Sequence, residues 1–206
     1  PSKADLLLAH SPAWVKKNLE FKFKPEDSAR AEIKITRAVV RAHLMNVGGT
    51  ILAARLALEN GIGINCGGGS HHAFKDHGEG FCLLNDIAVA IKKLLKERRI
   101  KRAMIIDLDA HQGNGTAAIF RGDKRVLTFS MHGAESYPEK KEKSSMDIEL
   151  GPGTGDAAYL AALKRELPKA MSRFMSSLLI ARSVPCHWVS SQGWWVRLSA
   201  SVQPRV

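Results

Sequence analysis

The feature that most constrains the fold is an alternation of short apolar runs with longer amphipathic segments. The runs "AMII" (residues 103–106) and "VLTF" (residues 126–129) consist mainly of aliphatic, β-branched and aromatic residues and are bounded by polar residues. Runs of this length indicate buried strands, whereas the segments between them have the apolar spacing of helices. Strands that alternate with helices pair as a parallel sheet with helices on both faces. We therefore predict a three-layer α/β fold with a central, mainly parallel sheet.

The same patterns predict the remaining elements. Strands are predicted at residues 6–9, 62–65, 102–109 and 125–132. Helices are predicted at residues 47–61, 83–99, 115–120 and 156–179. Gly61 is a typical helix C-cap, Asn85 or Asp86 is the expected N-cap of the second helix, and a kink is expected near Pro168. Residues 16–36 are charged and poorly periodic, so we expect mostly loop with some helix.

The net charge of +11 raises the hypothesis of nucleic-acid binding, but the distribution of charge argues against it. No acidic residue follows Glu166, whereas five of the 31 basic residues do, so residues 1–166 hold 26 basic and 20 acidic side chains. The densest basic run, residues 91–102, has apolar residues at helical spacing, which favours a solvated helix face. No aromatic residues interleave that run for base stacking. We expect no direct binding of nucleic acid.

Composition also bears on the cellular compartment. No apolar run approaches the roughly 20 residues needed to span a membrane, and the first residues lack the apolar core of a secretory signal. The three cysteines form neither a CxxC pair nor a disulfide framework, which favours a reducing compartment. We expect a cytoplasmic protein without membrane contact, or a nuclear one if the source is eukaryotic.

The run "AMII" leads directly into Asp107, Asp109 and His111, which are spaced two residues apart. Alternate residues of a strand share a face, so these three side chains would lie close together. Carboxylate and imidazole groups suit a divalent ion such as Zn²⁺ or Fe²⁺. The alternative is that the aspartates cap the next helix and the histidine donates to backbone. This pattern alone does not decide between the two interpretations.

A glycine-rich loop, "CGGGSHHAFKDHGEGFC", follows the strand predicted at residues 62–65. Its adjacent His71 and His72 could act as general base and general acid, because imidazole titrates near neutral pH. Either histidine alone would be interpreted as an ordinary loop residue. Gln112 and Asn114 carry amides that could fix the tautomer of a histidine, although both also occur in turns. Because ligands bind beyond the carboxyl ends of parallel strands, these clusters predict one site for metal-assisted hydrolysis.

The end of the chain differs in composition from the rest. Residues 181–206 hold three of the four tryptophans, five serines and no acidic residue, with no clear helical or strand period. We therefore divide the chain into a domain at residues 1–175 and an atypical tail at residues 176–206. The tail has the composition of a non-native or frameshifted end, and an unusual but genuine terminal segment is the alternative.

Several motifs together resemble the zinc-dependent histone deacetylase family. They are "GGGSHHAF", "GEGFCLLND", "IIDLDAHQGNGTAAIF", "FSMHG", and "YP" followed by "DIELGPGTGDAAYL", in the family's order over roughly residues 4–170. "DAHQGNG" is most similar to the class IV branch and related bacterial deacetylases. The resemblance implies an arginase/deacetylase fold, incomplete in this chain. It also implies hydrolysis of the acyl group from an acylated lysine of a protein or from a similar acylated amine.

The resemblance implies roles for the polar residues. Asp109 and His111 would be two ligands of Zn²⁺, with Fe²⁺ as an alternative metal. His71 and His72 would be the paired histidines beside the attacking water.

Residues behind the paired histidines are also implied. Asp107 would hydrogen-bond His71, and Asn114 stands where many relatives carry an aspartate behind His72. An amide there would leave His72 less basic than a carboxylate would. Gly80 and Phe81 would form the wall of a tunnel for the acyl-lysine, although such a phenylalanine is more often a core residue. Structural K⁺ or Na⁺ would be held at two sites, by Asp107 and Ser130 and by Phe120, Asp123 and Val126.

This sequence departs from the family pattern in two ways that bear on activity. The family's third metal ligand is an aspartate after a strand that corresponds here to residues 176–185, but no acidic residue follows Glu166. The family's oxyanion-stabilising tyrosine or histidine also has no counterpart, and Cys186 and His187 are poor candidates for a replacement ligand. We therefore expect a truncated or frame-disrupted deacetylase, with a catalytically inactive acyl-lysine or protein-binding module as the alternative. An arginase-like ureohydrolase would need more aspartates around two metals.

Overall fold

The computed structural model describes residues 1–182 and 194–197, which contain one six-stranded sheet. The strands are β1 (Ile62–Asn65), β2 (Ala103–Asp107), β3 (Val126–Gly133), β4 (Met146–Leu150), β5 (Leu178–Arg182) and β6 (Trp194–Arg197). Their order across the sheet is β1-β6-β5-β2-β3-β4. Strands β5, β2, β3 and β4 pair in parallel, whereas β6 pairs antiparallel with both β1 and β5. The predicted α/β fold with a mainly parallel sheet is confirmed.

The helices among the described residues are α1 (Lys3–Leu6), α2 (Pro12–Glu20), α3 (Pro25–Ala31), α4 (Arg37–Asn60), α5 (Asp86–Lys96), α6 (Asn114–Phe120) and α7 (Asp156–Arg173). The predicted caps are confirmed at Gly61, which ends α4 with a φ of 85°, and at Asn85, whose side chain accepts from the backbone N–H of Ala88. Helix α7 continues through Pro168. None of the described helices is long and apolar enough to cross a membrane.

Two apolar cores cover the two faces of the sheet, as the alternation of side chains along a strand requires. Ala103 and Ile105 of β2 pack into the larger core with the buried faces of α4 and α5. Met104 and Ile106 point the other way and pack with residues of β3 and α7. The basic run at residues 91–102 contributes Ile91, Leu94 and Leu95 to the first core, so its charges occupy a solvated face as expected.

The first 36 residues of the structure differ from the secondary structure that the sequence predicts. The strand predicted at residues 6–9 is wrong, because Ser2 and Asp5 form a capping box that starts α1 and the chain then turns. Residues 16–36 are also more helical than expected, since α2 and α3 occupy much of that range. Ser11 caps α2 and Pro12 occupies its first position, which is a local start signal independent of apolar periodicity.

The sheet also contains three strands that the local pattern did not predict. Strand β5 begins at Leu178, inside the helix predicted at residues 156–179, because α7 ends at Arg173; only the family resemblance placed a strand there. Strand β4 is partly exposed at the edge of the sheet, and its residues lack an uninterrupted apolar run. Strand β6 lies in the segment for which no period was found, and its backbone pairs Ile62–Asn65 with residues 194–197. The division at residue 175 and the non-native origin of the tail stay predictions, and Cys186 and His187 lie outside the described residues.

Candidate active site

The carboxyl ends of β2 and β3 bring the predicted polar residues to one edge of the sheet. Asp107 is the last residue of β2 and lies in register with Ser130 of β3. Both side chains are buried. Parallel strands end at the same edge, which is why these residues from separate parts of the sequence meet.

Asp107 holds His71 in a defined orientation. Its Oδ2 atom accepts a hydrogen bond from Nδ1 of His71 at 2.6 Å, and its Oδ1 atom accepts one from the backbone N–H of Asp109 at 3.1 Å. A neutral imidazole that donates through Nδ1 carries its lone pair on Nε2. The contact with Asp107 therefore leaves Nε2 as the ring nitrogen of His71 that carries the lone pair.

His72 is held in the same way by an amide. Its Nδ1 atom donates to Oδ1 of Asn114 at 2.8 Å, and the rings of His71 and His72 lie 3.9 Å apart between centroids. Both histidines are buried, and both present the same ring nitrogen to a hydrogen-bond acceptor. The two histidines thus form a pair, each with its own supporting side chain.

Asp86, at the start of α5, anchors the glycine-rich loop that carries the two histidines. Its buried carboxylate accepts hydrogen bonds from the backbone N–H groups of Gly69 and Ser70 and from the hydroxyl of Thr50. The N-terminal end of a helix favours a carboxylate electrostatically, so this position suits an anion. The sequence identified Asp86 only as a possible cap, because nothing local shows that its partners lie in a preceding loop.

Asp109 and His111 lie beside the histidine pair. Nδ1 of His111 is 3.4 Å from Oδ1 of Asp109, which also accepts from the backbone N–H of His111 at 2.8 Å. Two ligands of a tetrahedral zinc ion, each about 2.0–2.1 Å from the metal, lie roughly 3.3 Å apart. The spacing and chemistry of this pair therefore fit two ligands of one zinc ion. The side chain of His111 is half exposed, whereas that of Asp109 is buried.

The described residues do not supply a third ligand. No group of three histidine, cysteine, aspartate or glutamate residues placed to hold a metal is found among them. Strand β5 ends at Arg182, which lies in register with Asp107. Catalytic zinc sites generally use three protein ligands, so the arrangement within the described part of the chain is incomplete.

Glu79 and Tyr137 belong to the site, although the sequence did not single them out. Oε1 of Glu79 accepts from Nδ2 of Asn114 at 2.5 Å and from the hydroxyl of Tyr137 at 3.1 Å. The ring of Tyr137 packs edge-on against His72, with 5.0 Å between centroids, and lies 6.0 Å from that of His111. Both residues lie in motifs that carry the family resemblance, "GEGFCLLND" and "YP", but the glycines and the proline there indicate turns and do not point to a role for either side chain.

Glu79 and Tyr137 also influence each other's ionisation. Burial acts to raise the pKa of Glu79, but hydrogen bonds from His77, Asn114 and Tyr137 outweigh it and lower that pKa below its ordinary value. Burial and the adjacent Glu79 carboxylate raise the pKa of the Tyr137 hydroxyl well above its usual range. Glu79 is therefore ionised at neutral pH, and Tyr137 keeps its proton.

Gln112 contacts a neighbouring loop, so the suggestion that its amide supports a histidine is wrong. Its Nε2 atom donates to the carbonyl of Glu142 at 2.6 Å and to the carboxylate of Asp147 at 2.9 Å. Its Oε1 atom accepts from the backbone N–H of Glu142 at 2.7 Å. Gln112 therefore ties the segment before β4 to the end of β2.

Gly80 and Phe81 form a tight turn over His72. A Cβ atom at Gly80 would lie 2.6 Å from Cδ2 of His72 and 3.1 Å from Cε1 of Tyr137, so no other residue fits without a shift. Phe81 has a φ of 64°, and the residue is 63% exposed. The common interpretation of such a phenylalanine as a core residue is therefore wrong here. A role for the pair as a tunnel wall stays a prediction.

The residues predicted to hold monovalent cations fall into two groups. Ser130 lies beside Asp107 in the sheet register, and its hydroxyl contacts Nδ1 of His132 at 2.9 Å. Phe120, Asp123 and Val126 lie in the turn between α6 and β3, where the Asp123 carboxylate pairs with Arg125. The structure brings the members of each group together, and cation binding by either group stays a prediction.

A cavity of about 860 Å³ opens next to Asp109 on the side of β3 and β4. Apolar side chains from Leu108, Met131 and Leu150 line it together with the glycine-rich turn after β4. His132 contributes a buried imidazole whose Nε2 atom has no hydrogen-bond partner among the described residues. The cavity extends the Asp109 side of the site towards α7.

Comparison with known proteins agrees with this arrangement. The histone deacetylase domain family matches residues 1–183. The chain is 41% identical over 179 residues to an uncharacterised protein of Picosynechococcus and 37% identical over 188 residues to histone deacetylase 2 of Arabidopsis thaliana. These matches cover 87% of this chain in each case, but only 60% and 49% of the relatives.

A structural relative shows the same relationship. The crystal structure of a histone deacetylase homologue from Aquifex aeolicus superposes with a TM-score of 0.72 at 25% identity. That match covers 86% of this chain and 54% of the homologue, so the chain spans roughly half the length of its structural relative. By sequence and by fold, the chain belongs to the histone deacetylase family.

Proposed function

We propose that this chain carries the histidine half of a zinc-dependent site that hydrolyses acylated lysine side chains of proteins, or related acylated amines. The observation that carries the proposal is the paired arrangement of His71 with Asp107 and His72 with Asn114, next to Asp109 and His111. Of the family's branches, class IV and the related bacterial deacetylases are the ones we propose for this chain, on the motif that contains Asn114.

The chemistry follows from the atoms that the two histidines present. Each ring donates through Nδ1, so each carries a lone pair on Nε2 that can take up a proton from water or return one to a leaving amine. A zinc ion at Asp109 and His111 would polarise the acyl carbonyl and acidify a water molecule. Because Asp107 is a carboxylate and Asn114 is neutral, we assign the general base to His71 and the general acid to His72. Fe²⁺ is the alternative metal, and K⁺ or Na⁺ at the predicted sites would stabilise the loops.

The ligand set in this chain is smaller than that of the family site. Asp109 and His111 provide one anionic and one neutral ligand, whereas the family site has a further aspartate. With no acidic residue after Glu166, a third carboxylate is not available from the end of this sequence. We therefore expect zinc to bind more weakly than at a three-ligand site, and turnover by this chain alone to be slow or absent.

A second candidate function follows from the same observation. Because the described residues lack a third ligand, the pocket could bind acyl-lysine peptides without hydrolysing them. Such a module would use the histidine pair and the exposed Phe81 as binding groups. It would show peptide affinity that does not depend on zinc.

The experiment combines zinc content, acetyl-lysine peptide turnover and peptide binding for the purified 206-residue chain. His111→Ala removes one ligand, and Glu59→Ala, on the exposed end of α4, is the control. Zinc that is lost in His111→Ala but kept in the control, with turnover that follows it, supports the hydrolase. Zinc-independent peptide binding without turnover supports the binding module. If the folded chain binds neither zinc nor the peptide, both proposals are refuted.

A further inference from the structure

Glu79 contacts the amide nitrogen of Asn114, whose amide oxygen contacts His72. The position of Glu79 is fixed by its backbone. Its N–H donates to the carbonyl of Cys82 at 3.0 Å, and its own carbonyl accepts from the N–H of Cys82 at 2.8 Å. Gly80, inside this turn, packs against His72. The carboxylate is therefore held at a constant place beside Asn114 and is not a mobile surface group.

The direction of the hydrogen bonds follows from chemistry. An ionised carboxylate only accepts, whereas a primary amide has one donating end and one accepting end. Because Oε1 of Glu79 lies 2.5 Å from Nδ2 of Asn114, the amide must present its N–H₂ group to Glu79. Its oxygen then faces His72, and only a protonated Nδ1 can satisfy that oxygen.

We infer that Glu79 is a positioning residue that selects the tautomer of His72 through the amide of Asn114. The hydrogen bonds from Asn114 to Glu79 and from His72 to Asn114 together determine which ring nitrogen of His72 carries the proton, without any transfer of charge between these side chains. The catalytic consequence of this selection rests on the proposed function, because a His72 that keeps its first proton on Nδ1 carries its second proton on Nε2, from which it can be delivered to the leaving amine. The selection itself concerns the structure of this chain and needs no bound metal.

Neighbouring side chains are consistent with this role. Tyr137 donates to the same oxygen of Glu79, and Nε2 of His77 lies 3.6 Å from the other oxygen. Three donors thus converge on Glu79, which keeps it in the acceptor-only form that the inference requires. An asparagine behind His72 without such a carboxylate could rotate its amide and accept either tautomer, since oxygen and nitrogen of an amide have nearly the same shape.

The test reads the tautomer directly, by proton–nitrogen NMR of the histidine rings in the zinc-free full chain at a pH where they are neutral. The His72 signals are identified by their loss in His72→Gln. In the wild type we expect hydrogen on Nδ1 of His72. In Glu79→Gln the second amide can donate as well as accept, so the Asn114 amide can rotate. We then expect the two ring-nitrogen shifts to move towards each other, as in a mixture of tautomers.

A double variant separates hydrogen-bond direction from packing. Glu79→Gln with Asn114→Asp exchanges the positions of amide and carboxylate, so a carboxylate again accepts from Nδ1 while the glutamine amide donates to it. We expect the wild-type tautomer to return in this double variant and to persist in Asn114→Asp alone. Tyr137→Phe, which removes one of three donors to Glu79, and Glu59→Gln, on the exposed end of α4, should leave the tautomer unchanged.

Two results would overturn the inference: an unchanged His72 spectrum in Glu79→Gln, or a changed spectrum that the double variant does not restore. The proposed function can fail separately, because it is tested by zinc content and turnover and the tautomer is measured without either. Should Glu79→Gln lose the amide dispersion of a folded chain, Glu79→Ala is measured in its place. It also removes the acceptor of the Asn114 N–H₂ group, so the same mixture of tautomers is expected, and an unchanged His72 spectrum would overturn the inference.

Discussion

Nε2 of His10 accepts a hydrogen bond from the backbone N–H of Asn85 at 3.0 Å, which ties the first turn after α1 to the start of α5. The other ring nitrogen, Nδ1, donates to the carbonyl of Phe74 at 2.9 Å. The imidazole therefore joins the loop after the paired histidines to the helix that anchors that loop. The two contacts can exist together only while the ring is neutral, because a protonated Nε2 would place its N–H group against the backbone N–H of Asn85.

This relationship predicts a loss of stability in mild acid. Burial is the main reason that the pKa of His10 falls from 6.5 to about 4 in the folded chain. Between these two values the unfolded chain binds a proton at His10 and the folded chain does not, so stability falls as the pH drops from 6.5 to 4. Summed over this range, the contribution of His10 is about 3 kcal/mol in the free energy of unfolding.

The measurement is urea unfolding of wild type and His10→Gln at several pH values from 7 to 4. The variant should be less stable at neutral pH, and its stability should depend less on pH. The difference between the two proteins isolates His10 from other histidines such as His43, whose pKa burial also lowers. Parallel curves for the two proteins over this range would contradict the prediction.

The anchor of the glycine-rich loop predicts a second effect. Asp86→Asn keeps the shape of the side chain but removes one of its two accepting oxygens, while Thr50, Gly69 and Ser70 still point donors at it. Leaving a buried donor unsatisfied costs about 1–3 kcal/mol, so we expect that loss in the free energy of unfolding. Asp156→Asn is a matched control, because Asp156 also begins a helix but is exposed. Equal stability of both variants would show that the anchor contributes little.

Gln112 predicts a local effect on the segment before β4. Its amide makes two hydrogen bonds with the backbone of Glu142: it donates to the carbonyl and accepts from the N–H group. In Gln112→Ala the N–H of Glu142 loses its acceptor, so its hydrogen exchange should accelerate while exchange in β2 stays slow. Hydrogen exchange followed by mass spectrometry of the two peptides measures this, with Asn60→Ala as an exposed control. Uniform acceleration in both peptides would indicate global destabilisation and not a local tie.

The sequence predicts the interior of this fold better than its margins, for a physical reason. Strands β2 and β3 are buried along almost their whole length, and each begins with a mainly apolar run, "AMII" or "VLTF", that the sequence pattern identifies. Strand β4 is partly exposed and has no such run, although its backbone pairs with β3 over five residues. The strand predicted at residues 6–9 shows the opposite error, because an apolar run there lies at the end of a capped helical turn.

The candidate site shows the same division. Asp107, Asp109 and His111 follow a strand, so the sequence itself predicts that they lie together. Glu79 and Tyr137 could not be found this way, because their roles depend on contacts between loops that are 58 residues apart in the chain. The predicted contact between Gln112 and a histidine is wrong because an amide next to a histidine in sequence need not contact it in space.

Gly113 provides the sharpest test of how closely the site is packed. A Cβ atom there would lie well under 3.0 Å from Oδ2 of Asp107 and 3.1 Å from Nδ1 of His71, the two atoms of the buried hydrogen bond. Its φ of −72° is open to any residue, so Gly113→Ala acts through space alone and not through backbone strain. We expect a loss of about 1–3 kcal/mol in the free energy of unfolding, which is typical of overpacking a core. The His71–Asp107 contact should also lengthen.

The control for Gly113→Ala is Gly151→Ala, since no atom lies within 4 Å of a Cβ atom built at Gly151. Urea unfolding measures the stability of both variants, and the NMR shift of the proton on Nδ1 of His71 reports the strength of its hydrogen bond to Asp107. A weaker bond moves this proton upfield, so Gly113→Ala should show an upfield shift that Gly151→Ala lacks. Wild-type stability and an unmoved His71 signal in Gly113→Ala would contradict this prediction. They would mean that β2 and the glycine-rich loop move apart to make room for the methyl group at little cost in free energy.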